Sequence, residues 1–281
     1  MKRLFTFGCS HTNHGYPTWA NLLAEEFDKH YNFGLGGTGP FYLFWQISNL
    51  IKHKDKWKLS DDDYLVFLIP EENRHDVVVE MEHGEHFTTN TIQNDKEEWY
   101  TTKYKREFSP NDGLGKVTLY LESITSLLNK HNLNYKIILA LGDFNIQDKH
   151  RYKTYYENFT SLCGKSTPLQ VVAKGYGGEQ HYYFRKAEKT HYGEYVASTN
   201  EEDIEMDGHW TIPIHLEFVK TNFPFYKETN VKKYLDLHDK YITRSYMRDE
   251  WWSRKYHYEY WSNGVLFYPH QNKDFPSGSP F

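Results

Sequence analysis

Arg3-Leu4-Phe5-Thr6-Phe7-Gly8-Cys9-Ser10-His11-Thr12 is the stretch that decides the fold. Residues 3–7 form a short β-prone run with large apolar side chains at Leu4, Phe5 and Phe7. Small residues then crowd into a tight bend at 8–12. Beyond the bend, Trp19, Leu22, Leu23 and Phe27 fall on one side of a predicted helix over 19–27. A serine just past a strand's C-terminal end is lifted out of the sheet with its hydroxyl exposed. The first backbone N–H groups of the next helix point toward the same spot. Ser10 therefore suits a nucleophile or an anion contact, although a turn or N-cap serine is the commoner use of such a residue.

The pattern repeats downstream. Tyr31-Asn32-Phe33-Gly34-Leu35-Gly36-Gly37-Thr38-Gly39-Pro40 reads as a brief strand opening into a Gly-rich loop, followed by a helix over 41–53 with Leu43, Phe44, Ile47, Leu50 and Ile51 as its apolar stripe. The continuous apolar runs at 63–70 and 134–142 suit parallel strands buried on both faces. Between and after them, 117–131 and 152–163 read as helices, and Leu169-Gln170-Val171-Val172 as a short fifth strand. Strands alternating with helices predict a doubly wound parallel α/β sheet. In such sheets ligands bind outside the carboxyl ends of the strands, where Ser10, Gly36-Gly37 and the segment after Pro70 would meet.

Two polar stretches interrupt the alternation. Residues 75–115 read as an insertion over the strand ends, a hairpin or lid, and 174–205 as a second insertion. The organisation expected is an α/β domain over 1–223 and an aromatic-rich C-terminal extension over 224–281. The extension contains Trp251, Trp252, Tyr256, Tyr258, Tyr260 and Trp261. Its aromatics could stack on sugar rings, or pack onto the domain or a neighbouring subunit, which is the commoner use.

At 281 residues the chain is long enough for a full core. A net charge of −5 gives no overall basic field to hold nucleic acid. Cys9 and Cys163 stand too far apart in sequence to suggest a zinc motif or a disulfide framework. Lys2-Arg3 resembles the start of a leader, but the apolar run behind it ends at Gly8, and no other run approaches a membrane span. The expectation is a soluble protein without a signal peptide, cytoplasmic or virion-associated, with no nucleic-acid or membrane partner.

Asp207-Gly208-His209-Trp210-Thr211-Ile212-Pro213 reads as a turn entering a helix over 214–223. An acid near a histidine can orient the imidazole while its other nitrogen faces a serine hydroxyl, which is what a serine nucleophile requires. Alone the pair means little, since the chain has 16 histidines and 38 acids. His83-Gly84-Glu85-His86 lacks the i, i+4 spacing of a helical zinc site and reads as a solvated loop. Asp143, after the run at 134–142, is as suited to a capping turn as to a substrate contact.

Taken together, Gly8-Cys9-Ser10-His11-Thr12, Asn32-Phe33-Gly34-Leu35-Gly36-Gly37-Thr38 and Asp207-Gly208-His209 resemble, in order and spacing, the first, second and final blocks of the SGNH (GDSL-like) hydrolase family. The resemblance covers about residues 1–223. It implies a flavodoxin-like doubly wound sheet, a catalytic set of Ser10, His209 and Asp207, and an oxyanion hole from the N–H groups of Ser10 and Gly37 with Asn73 as third donor. It also implies no metal or other cofactor. His11, Glu72, Arg74 and Asp143 are candidate substrate contacts.

Three departures stand out. Cys9 replaces the usual aspartate, the final block is D-x-H rather than D-x-x-H with Glu205 as a substitute acid, and Pro70-Glu71-Glu72-Asn73-Arg74 replaces G-x-N-D. Glu72 in the asparagine's place would set a carboxylate against a developing oxyanion, and each missing donor costs on the order of a hundredfold in rate. The arginine after the third strand resembles members encoded by bacterial viruses. The function expected is a serine esterase acting on a small acyl ester, O-acetyl on carbohydrate included. The alternative is a non-catalytic binding or virion-structural protein that uses the extension for contacts, as a homo-oligomer or in virion assembly. A nucleotide-binding module is a weaker option, because no G-x-G-x-x-G opens the first βαβ unit.

Overall fold

A computed structural model describes residues 2–14, 16–70, 74–81, 84–91, 110–140, 153–164, 166–176, 181–185, 187–189, 195–197, 204–243 and 246–247. At its centre is a four-stranded parallel sheet in the order β2-β1-β3-β6, formed by β1 (Arg3–Gly8), β2 (Lys29–Gly34), β3 (Tyr64–Ile69) and β6 (Asn134–Leu139). Phe7 lies level with Phe33 and with Phe67 across the neighbouring strands. The architecture is α/β, a parallel sheet flanked by helices, and the strand order is consistent with a flavodoxin-like fold.

Alternation of side chains divides the sheet into two buried faces. Phe5, Phe7, Phe33, Leu65, Phe67 and Ile137 point to one core, covered by α2 (Pro40–Lys52), α4 (Pro110–Lys130) and α5 (Lys153–Cys163). Rings stack strand to strand along this face, Phe7 against Phe33 at 4.8 Å and against Phe67 at 4.5 Å. Leu4, Val66, Leu68 and Ile138 point to the other core. It is covered by α1 (Trp19–Ala24), α6 (Leu169–Gly175), α7 (Ile212–Asn222) and Tyr234 of α8 (Val231–Thr243). Each large apolar side chain buried this way stabilises the fold by roughly 1.5–3 kcal/mol. A one-turn helix, α3 (Lys54–Trp57), leads toward β3, and just before that strand buried Asp63 takes a two-pronged contact from Arg3, at 2.7 Å to Nε and 2.5 Å to Nη2.

The structure corrects four local readings. Residues 169–172 are helical, within α6: behind Pro168, Leu169, Val172 and Ala173 recur at i, i+3, i+4 and bury together, so packing overrides the β-propensity of the valines. The first helix ends at Ala24 rather than at 27, because Glu26 and Phe27 donate to carbonyls three residues back and the tightened turn delivers the chain to β2. The helix expected over 117–131, α4, starts at Pro110, seven residues before the expected position. Asp207-Gly208-His209 lies in a strand, β10 (Ile204–Trp210), not in a turn.

The first insertion contains an antiparallel hairpin of β4 (Arg74–Met81) and β5 (Gly84–Thr91); Gly84, Glu85 and His86 of the histidine motif open β5, and His83 lies outside the described residues. The second contains β7 (His181–Arg185), β8 (Ala187–Lys189) and β9 (Tyr195–Ala197). β8 pairs β9, and β7 pairs antiparallel with β10 and parallel with β11 (Tyr246–Met247). No helix among the described residues is long and apolar enough to cross a membrane.

Candidate functional site

The bend after β1 is held by its own backbone and by β2. The N–H groups of Thr12 and Asn13 donate to the Cys9 carbonyl, which closes the turn that carries Ser10 and His11. The Thr12 carbonyl then accepts the Thr18 hydroxyl at 2.7 Å and the Asn32 amide at 3.1 Å. Asn32 also accepts the Gly34 N–H at 2.9 Å, and Asn13 donates to the Gly34 carbonyl at 2.9 Å. These buried bonds lock the serine turn to the end of β2, and through it to the Gly-rich loop.

That loop runs from Leu35, whose N–H donates to the Gly8 carbonyl, through Gly36 and Gly37 to Gly39 at the start of α2. Gly36 lies against the serine: a Cβ built on it would sit 3.7 Å from Ser10 Cβ. Gly37 has φ +78°, the left-handed region that favours glycine. Ser10 is half-buried.

Histidines close the other side. The His11 ring stacks on Trp210 at 4.7 Å and lies 4.8 Å from the His209 ring, and His14 stacks on His209 at 3.9 Å. His209 sits near the end of β10, where the pairing with β7 slips between Met206 and Trp210. Two contacts fix this strand end: the Tyr16 hydroxyl donates to the Trp210 carbonyl at 2.9 Å, and His181 Nδ1 lies 3.0 Å from the His209 carbonyl. His215, in the first turns of α7, is fully buried, and neither ring nitrogen has a hydrogen-bond partner among the described residues.

Burial favours the uncharged imidazole at His215 and His11. Burial pushes His215 down to about 3, the nearby His209 and His14 rings add to the shift, and the Trp210 carbonyl, close but outside hydrogen-bond geometry, opposes it. His11 is held well below the ordinary histidine range, first by burial and then by His209, His215, Arg74 and His14. Among the described residues no group of three or more His, Cys, Asp or Glu side chains is arranged to hold a metal ion.

Of the residues singled out from sequence, Ser10, His11, Gly37, Arg74 and His209 are described, and they gather at the carboxyl edge of the sheet. Arg74 opens β4 and turns Nη1 toward the Thr38 carbonyl at 3.4 Å, beside the Gly-rich loop. Glu71, Glu72, Asn73 and Asp143 lie outside the described residues, as do the side chains of Asp207 and Glu205. The motif pattern does not single out His14, His215 or Trp210. The one available signal is proximity in sequence, with His14 three residues after His11 and His215 six after His209.

No family model matches the chain, and no curated protein does. Among solved structures, protein YxiM from Bacillus subtilis is similar over 62% of this chain and 45% of its own, at 10% identity and a TM-score of 0.35. The chain thus spans less than half the length of that protein, and a likeness at this score carries no argument.

Proposed function

We propose that the protein is a serine esterase of SGNH type that removes acyl groups, O-acetyl foremost, from a carbohydrate or similar small ester. The observation that carries this reading is the approach of Gly36 to Ser10, with the His209 ring against His11, the residue next to that serine. A nucleophile, a base and a loop of backbone donors are the parts that acyl transfer needs.

In this mechanism Ser10 Oγ attacks the ester carbonyl as His209 takes its proton. Asp207 orients His209 and stabilises the imidazolium. The N–H groups of Ser10 and Gly37 receive the tetrahedral oxyanion, with Asn73 as a third donor. His209 returns the proton to the leaving alcohol, and a water activated by the same imidazole hydrolyses the acyl-enzyme. With the His11, His14 and His215 rings crowded around it, His209 relies on Asp207 to offset its positive charge during each transfer. In this reading residues 1–223 form the catalytic domain, and 224–281 extend it.

A second reading, a non-catalytic scaffold that binds through its aromatic extension, is favoured by one observation: Pro70-Glu71-Glu72-Asn73-Arg74 stands where the family's G-x-N-D would supply an oxyanion donor. Hydrolysis of p-nitrophenyl acetate by the wild type and Ser10→Ala, at neutral and mildly alkaline pH, separates the two. Serine-dependent turnover is expected; equal rates from both proteins would remove Ser10 as nucleophile.

A further inference from the structure

The hairpin is joined to the Gly-rich loop by one carboxylate. Asp76, in β4, accepts the Gly39 N–H on Oδ1 at 2.5 Å and the Tyr42 N–H on Oδ2 at 2.8 Å. Both N–H groups belong to the start of α2, where a helix leaves its first donors without intrahelical acceptors. Such a cap normally comes from a polar side chain at the N-cap itself. Here the N-cap is Gly39, with no side chain to offer, and the cap arrives from 37 residues away. The approach is tight: a Cβ on Gly39 would meet Arg74 Cβ and the Arg74 carbonyl at 3.0 Å and Asp76 Oδ2 at 3.1 Å. Arg74, two residues earlier and so on the same face of β4, reaches the Thr38 carbonyl. β4 thus grips residues 38 and 39, immediately beyond Gly37 and the Gly36 that faces Ser10.

We propose that Asp76 is a positioning residue: by capping α2 from the hairpin, its carboxylate holds the loop at 36–39 in place against Ser10. For its effect on rate the proposal rests on the esterase reading; for the loop's placement it does not. Two glycines supply no side chains to fix themselves, and within the loop Thr38 bonds back, its N–H and hydroxyl both going to the Leu35 carbonyl. An anchor at the far end of the loop is therefore what keeps the Gly37 N–H aimed. The carboxylate also occupies the helix N-terminus, so oxyanion stabilisation must come from donors such as the Ser10 and Gly37 N–H groups rather than from the α2 dipole.

The test compares the full-length wild type with Asp76→Ala and Asp76→Asn by amide hydrogen exchange and by kinetics on p-nitrophenyl acetate. In Asp76→Ala, exchange at residues 36–42 is expected to rise about tenfold while β1 and β3 stay protected, with kcat about tenfold lower and KM within about twofold. Asp76→Asn keeps an oxygen acceptor and should fall between Asp76→Ala and wild type, and it serves as the test if the alanine variant does not fold. Unchanged exchange at 36–42, or exchange that rises equally throughout the domain, would overturn the proposal. A wild type without turnover would remove the esterase reading and leave the exchange comparison to decide the role of Asp76.

Discussion

Gly36 faces Ser10 so closely that a Cβ on the glycine would come 3.7 Å from the serine's Cβ. That separation is ordinary van der Waals contact, so Gly36→Ala should fold and keep most of its activity. A branched side chain would extend over the serine hydroxyl. Gly36→Val is expected to lower kcat/KM about a hundredfold without a matching loss of thermal stability, as misplacement by about 1 Å does at reacting centres. At Gly37 space is open and the obstacle is backbone: φ +78° costs an L-residue about 1–2 kcal/mol. Gly37→Ala should lower Tm or shift the loop, which calorimetry and kcat together would separate.

Arg3 and Asp63 join the first and third strands of the sheet by a two-pronged ion pair, and Arg3 also donates to the carbonyls of Trp57 and Lys58. Only 1% of the Asp63 side chain is exposed, and 12% of Arg3, so removing the acid leaves a nearly buried cation. Asp63→Ala should destabilise the domain by about 3 kcal/mol, read as a lower urea midpoint at unchanged slope. A loss under about 1 kcal/mol would show the pair behaving as a surface bridge.

Stability should fall as the solution is acidified. Burial holds His215 and His30 at about 3, below the 6.5 of a histidine in an unfolded chain. Between those values the unfolded chain binds the extra proton, so stability is complete above pH 6.5 and is lost as pH falls toward 3. His215→Phe removes one such group and should flatten the dependence of unfolding free energy on pH by about 1.4 kcal/mol per pH unit between pH 4 and 6. An unchanged slope would mean that His215 does not stay neutral in the fold.

The parallel sheet was legible because its strands are continuous apolar runs: Leu4 to Phe7 and Leu65 to Ile69 have no other stable setting than burial on both faces. Residues 169–172 misled because Val171 and Val172 favour strands locally, whereas the helix is set by what Leu169, Val172 and Ala173 pack against. Asp207 to His209 reads as a turn because of Gly208, and the structure keeps that irregularity as a slip in the β10–β7 pairing. The gathering of His11, His14, His209 and His215 was illegible because it forms between segments about 200 residues apart in sequence, and no local spacing encodes it. Asp76 was illegible for the same reason, since a cap supplied by another element leaves no N-cap signature beside its helix.

The central claim is that Ser10 is an activated nucleophile. The most direct measurement is labelling of the full-length protein with a fluorophosphonate probe, mapped by peptide mass spectrometry, with His209→Ala alongside. The account predicts a single stoichiometric adduct on Ser10 that is lost in His209→Ala while the fold is kept. No adduct, or an adduct on Ser10 that forms equally fast without His209, would contradict it.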